Sequence, residues 1–228
     1  MMNVRESREF GTGIFSDITN GIYFFLMMNL YFIVGCIIPF VWLLLLEPSL
    51  SNLIPASFLG PSLTALCCCM IKYRERNKEK EDSLTFSDFR YYYKRNFLDT
   101  LKFWTPFCML FFIFTFSFDY YLALNSKLTI ILLILLSIST ISITYMLIIN
   151  AKFKFRTRDL LRLSLYYICC KIKLTLGVLS IFFLILVAMY FYSDFIILFL
   201  FSPLCYLLVH YLNPIIEDIQ ENFIQKEN

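Results

Sequence analysis

Residues 53–80 read LIPASFLGPSLTALCCCMIKYRERNKEK. A largely apolar run over 53–71 is followed at once by Lys72, Arg74, Arg76, Lys78 and Lys80. A membrane-spanning helix needs about 20 predominantly apolar residues, with a usable range of about 17–25, so the run is long enough to cross. Pro55, Gly60 and Pro61 interrupt it, which leaves a full span, a broken helix and a re-entrant element open on composition alone. The charges that follow favour the full span, because insertion retains positive residues on the cytoplasmic side.

Five further runs meet the length requirement, at 21–46, 103–124, 128–150, 174–192 and 195–212. Arg5 and Arg8 precede the first run. Nine basic residues lie between the second and third, seven between the fourth and fifth, and Lys226 follows the last. Six spans with both chain ends inside place nineteen of the twenty basic residues in the cytoplasm and leave only Lys127 outside. Five spans would set the two ends on opposite faces and carry one large basic group across. The run at 21–46 is too long for a signal-peptide core of about 7–15 residues, and no small-residue cleavage site closes it, so it reads as a retained first span.

Composition agrees. Of 228 residues, 59% are hydrophobic and 16% charged, where soluble domains carry roughly 25% charged residues. So few charges could not cover a soluble fold of this size. The expected fold is all-α: a single polytopic, multi-pass membrane helical bundle over residues 1–228. The net charge of +3 bears on orientation and on contact with membrane lipid, and no nucleic-acid module is present.

Two inner segments have a pattern of their own. Thr85-Phe86-Ser87-Asp88 is an [ST]-x-x-[DE] helix start. After it Phe86, Phe89, Tyr93, Phe97 and Leu101 recur at helical spacing among Arg90, Lys94, Arg95, Asp99 and Lys102. This predicts an amphipathic helix over 86–102, able to lie on the inner leaflet or pack under the bundle. Thr157-Arg158-Asp159 opens a similar segment over 157–173, with Leu160, Leu161, Ser164 and Tyr167 as its stripe. In each a basic residue follows the aspartate by fourteen positions, and each leads into a span, which hints at an internal duplication.

Chemistry-bearing patterns are sparse. The interiors of the six runs carry no ionisable side chain, with Glu47, Asp119 and Asp194 at outer ends and His210 near an inner one. Proton-coupled transporters place such groups at mid-membrane. No nucleophile elbow, zinc-protease helix or Walker loop occurs, so no catalytic residue and no cofactor are expected. No metal is expected either: the Cys67-Cys68-Cys69 triplet points three ways from a helix and cannot chelate one ion.

One constellation is more specific. Asn29-Leu30 stands in the first run, Pro55 and Gly60-Pro61 lead to Ala65-Leu66, and Phe86-Ser87-Asp88-Phe89 leads to Asn96-Phe97. This resembles the bacterial YesL family, whose pattern is Leu-Asn in the first span, Pro-x-x-x-x-Gly-Pro-x-x-x-Ala-Leu, then Phe-x-x-Phe with a later Asn-Phe. The likeness covers roughly residues 10–110, and the remainder agrees in hydropathy only. Here Asn29-Leu30 inverts the family order, and Tyr91-Tyr92-Tyr93 stands where shorter polar residues are common. The family has no established enzymatic activity, and its genes accompany carbohydrate ABC importers. The resemblance therefore implies an accessory subunit or assembly partner of such an importer, touching its permease subunits. Candidate partner-binding residues are Phe86, Phe89, Tyr93, Arg95 and Phe97, with Gly60 and Pro61 as a docking or gating hinge. The alternative is an independent transporter or channel for a neutral solute.

Cysteine labelling checks the topology. Position 78 is expected to label only from the cytoplasmic face, and positions 125 and 193 only from outside. External labelling at 78 would overturn the six-span arrangement.

Overall fold

The computed structural model describes residues 14–45, 52–79, 84–124, 127–191 and 194–224. Arg5, Arg8, Glu47, Lys80, Asn125, Ser193 and Lys226 lie outside them, as do the side chains of Asp119 and Asp194. Among the described residues eight α-helices run in order: α1 (Ile14–Leu45), α2 (Leu53–Glu79), α3 (Phe86–Ala123), α4 (Leu128–Lys152), α5 (Thr157–Cys170), α6 (Ile172–Phe191), α7 (Asp194–Tyr211) and α8 (Asn213–Ile219). A π-helical turn, Gln220–Ile224, follows α8. No strand occurs among the described residues. The helical bundle expected from composition is the fold.

Pro61 does not break α2, which is helical from Leu53 to Glu79. A proline removes one N–H from the helical ladder. Here hydroxyls bond back to the turns on either side: Ser57 Oγ donates to the Leu53 carbonyl at 2.7 Å and Thr64 Oγ1 to the Gly60 carbonyl at 3.1 Å. The broken-helix and re-entrant readings of 53–71 fall away.

Contacts between α2 and α3 set their register. Trp104 packs its ring on Gly60, filling the space a Cβ would take, and its Nε1 donates to the Ala56 carbonyl at 2.9 Å. Thr100 meets Thr64 at 3.0 Å, and Asn96 meets Cys68 at 3.2 Å. One partner advances four residues while the other retreats four, which is an antiparallel pair in step turn by turn. The amphipathic segment 86–102 is therefore continuous with the run that follows it: α3 is one helix of 38 residues, about 57 Å long. Its charged half lies along apolar α2, and its apolar half continues past the start of α2. The helix begins where the capping pattern placed it, with Thr85 N–H and Oγ1 each donating to Asp88 Oδ2 at 3.0 Å.

The second amphipathic segment behaves differently. α5 and α6 meet at Lys171 with a bend of 98°. Lys171 leaves helical geometry at φ −110°, ψ 53°, and Thr175 Oγ1 donates to the Ile168 carbonyl at 3.2 Å across the elbow. The two segments that looked alike in sequence thus join their spans in different ways, one straight and one bent.

Four helical stretches are long and apolar enough to cross a membrane: Ile18–Pro39, Leu53–Arg76, Phe86–Ala123 and Leu128–Lys152. The bent α5–α6 pair makes a fifth if it counts as one span, and the part of α7 whose side chains are described, Leu200–Tyr211, is apolar as well. Six spans were expected; the fifth of them, 174–192, is reached through the elbow, and α7, where the sixth was placed, is a helix of 18 residues.

Burial is lopsided along the helices. In α4, Ile141 and residues 143–150 are buried, while Leu128, Ile130, Ile131, Leu133 and Ile134 are exposed. The far half of α3 and most of α6 expose apolar side chains in the same way. Soluble monomers rarely expose apolar patches beyond a few hundred Å², so the natural neighbour of these faces is hydrocarbon. The chain has the architecture of a multi-pass membrane protein.

Gly60→Ala is expected to lower the detergent melting temperature by the equivalent of about 1–3 kcal/mol of overpacking, because the atoms displaced are the root of a buried indole. Gly60→Leu should abolish monodisperse folding, and Leu63→Ile should be tolerated. Gly177→Ala should cost less, since the atoms it meets, Oη, Cζ and Cε1, are the outer end of the half-buried Tyr211 side chain, which can swing aside. Melting curves of the four variants check the order.

Candidate functional site

The charged half of α3 has two faces. Phe89, Asn96, Thr100 and Phe103 are buried. Arg90, Tyr91, Lys94, Arg95, Leu98 and Lys102 are exposed. Of the seven residues that sequence marked for partner binding, three belong to the interior. Phe89 is 2% exposed, with a ring carbon 3.3 Å from where a Gly35 side chain would begin, and Gly60 and Pro61 sit in the core of α2. Tyr93 and Phe97 are half-buried with ring centroids 5.5 Å apart, and Phe97 lies 6.1 Å from Phe58. Phe86 is exposed beside Tyr31 of α1, with centroids 5.1 Å apart, and Arg95 is exposed on the outer flank. The structure does not gather these seven into one surface.

What it presents outward instead is Tyr91, Arg95 and Leu98. Tyr91 and Leu98 are 59% and 69% exposed, and the spacing of four and three residues puts all three on one side of the helix. Sequence reading passed over Tyr91 and Leu98 because it followed the aromatic stripe, whose Phe89 is buried and whose Tyr93 and Phe97 are half-buried. The charges Arg90, Lys94 and Lys102 marked the outward face and could have located them.

Behind this face a buried polar seam ties α3 to α2 and α4. Asn150 Nδ2 donates to Thr100 Oγ1 at 3.4 Å, Thr100 Oγ1 to Thr64 Oγ1 at 3.0 Å, and Thr64 Oγ1 to the Gly60 carbonyl at 3.1 Å. Beside it Asn96 Nδ2 donates to Cys68 Sγ at 3.2 Å, and Cys68 Sγ to the Ala151 carbonyl at 3.3 Å. The neighbouring Cys67 turns toward α7, its sulfur 3.3 Å from that of Cys205. The cysteine triplet thus diverges as its helical spacing required. A second pin joins α1 to α7, where buried Asn29 accepts from the Ser202 backbone N–H at 2.8 Å, next to Pro203. These groups spend their donors and acceptors on one another. In a medium without water that fixes helix register; it does not by itself present a reactive group.

Residues 25–118 match the model of a family described as a protein of unknown function, DUF624. No curated protein and no solved structure matches the chain. The matched segment runs from Phe25 in α1 to Phe118 in α3 and contains Asn29, Gly60, Asn96, Thr100 and Trp104. The residues that lock the first three helices together, and the outward face of α3, all lie within it.

Thr100→Val keeps the shape of the side chain and removes the hydroxyl at the middle of the seam. Interhelical hydrogen bonds in membrane proteins average about 0.6 kcal/mol and reach about 1.7. Two are lost here, so a destabilisation of about 1–2 kcal/mol is expected in detergent unfolding. Thr115→Val, whose hydroxyl bonds only within its own exposed turn, should be neutral.

Proposed function

We propose that the chain is an accessory membrane subunit or assembly partner of a bacterial carbohydrate ABC importer, seated in the plasma membrane with both chain ends in the cytoplasm. The family match at residues 25–118 falls where the sequence resembles the YesL family, and that resemblance supplies the importer. The structural observation that carries the reading is the outward face of α3. Tyr91, Arg95 and Leu98 stand on a helix whose opposite side is fixed by the seam and by Trp104.

A lipid anchor needs only apolar area and positive charge, worth roughly 1 kcal/mol per basic residue near an anionic surface. A protein interface concentrates its energy in a few anchors, with tyrosine and arginine enriched among them and values of about 2 kcal/mol or more. Arginine adds a planar donor fork that lysine lacks. The role of the face in this reading is to hold the cytoplasmic side of a permease subunit, with the apolar half of α3 alongside it in the bilayer.

The test is capture from native membranes. Tagged full-length protein, cross-linked and solubilised, should bring down ABC permease subunits. Tyr91→Ala with Leu98→Ala should reduce capture at least tenfold, and Arg95→Lys several-fold, while all variants stay in the membrane. If the unmutated protein captures no permease, the accessory reading is wrong. Solute flux by the protein alone in liposomes would then support the transporter alternative.

A further inference from the structure

At the polar end of the bundle, α2, α4, α7 and α8 enclose a cleft of about 150 Å³. Its polar walls include Arg74 and Glu75 from α2, Lys152 from α4, and Asn213 and Glu217 from α8. Four of these have partners already. Lys152 pairs with Glu75, and the Asn213 amide donates to Glu217. Arg74 is different: it is half-buried, it lines the cleft, and it has no hydrogen bond or ion pair among the described residues.

A guanidinium carries five N–H donors in a fixed fork, and those of the half-buried Arg74 face the cleft with no protein acceptor among the described residues. The fork matches the paired oxygens of a phosphate or carboxylate, where two parallel hydrogen bonds form at once. Lys152 adds a second positive charge to the same cleft, shared with Glu75. A water takes up about 30 Å³, so a cleft of about 150 Å³ has the volume of roughly five waters, room enough for a phosphate group. The cleft also opens beside Glu75 and Glu217, which are exposed to solvent, so a ligand can reach it from the aqueous side.

We propose that this cleft is an oxyanion site in which Arg74 grips a phosphate group. The phosphate belongs either to a soluble phosphate compound or to the headgroup of an anionic phospholipid in the adjoining leaflet. Glu217 opposes the ligand as a like charge at the lip and holds the affinity down. The site is separate from the outward face of α3 and does not depend on the importer reading.

Purified full-length protein in detergent is titrated with inorganic phosphate at constant ionic strength, with chloride as the control, and its melting temperature is followed. A saturable rise is expected with phosphate and not with chloride. Arg74→Gln should weaken the response at least tenfold, Arg74→Lys should retain part of it, and Glu217→Gln should strengthen it several-fold. The same titration in nanodiscs of phosphatidylglycerol or phosphatidylcholine distinguishes the sources: loss of the phosphate response only in phosphatidylglycerol identifies the lipid headgroup as the occupant. The proposal is overturned if neither the unmutated protein nor Glu217→Gln responds saturably to phosphate, or if Arg74→Gln folds and responds unchanged. Equally, a Glu217→Gln variant that melts lower and binds no phosphate would show that Arg74 closes on Glu217 as an internal ion pair.

Discussion

Trp104 lying flat against Gly60 is the contact on which the rest of the arrangement turns. An indole can approach a helix backbone that closely only where no Cβ intervenes, and α2 offers that opening on its third turn, next to Pro61. Once the ring is seated and its N–H bonded to the Ala56 carbonyl, the register of α3 on α2 is set to within one turn. Thr100 then falls on Thr64 and Asn96 on Cys68. A slip of one turn would strand each of these donors in an apolar interior, where an unpaired buried polar group costs about 1–3 kcal/mol. Steric fit at one glycine and polar satisfaction along the seam therefore enforce the same alignment.

That alignment has consequences for how the chain meets its surroundings. Because the charged half of α3 is laid along α2, the apolar run of α2 is enclosed by protein for most of its length. The far half of α3, the first half of α4 and most of α6 carry the exposed apolar surface instead. Length and hydropathy make α2 and α4 look equivalent. In the fold one is a core helix, and the other changes from lipid-facing to buried midway along its length.

The two features with most chemical character lie outside the apolar interior. The face of α3 bearing Tyr91, Arg95 and Leu98 is rigid because its back is bonded into the seam, and rigidity spares an interface part of the ordering cost of association. The cleft around Arg74 arises where the ends of four helices converge, with the Lys152–Glu75 pair joining α4 to α2 across it. Neither depends on a mobile loop. Both follow from how the polar ends of the helices are held.

The sequence by itself determined the solvent. Long apolar runs, few charges and the gathering of sixteen of the twenty basic residues into two stretches require a helical membrane protein, because only internally bonded helices or closed barrels satisfy a backbone in lipid. It also marked the helix start at Thr85 and the divergence of the cysteine triplet, since each is a local property of spacing. The tertiary structure alone decided which side of each helix faces inward. The aromatic stripe of Phe89, Tyr93 and Phe97 read as a surface for others, yet it packs on α1 and α2, leaving Tyr91 and Leu98 outside. It decided too that 86–102 continues straight into its span while 157–173 turns through an elbow at Lys171. Periodicity shows that a helix has two faces, but which face is buried depends on the shape of what lies opposite. Here that was an indole meeting a glycine 44 residues earlier in the chain.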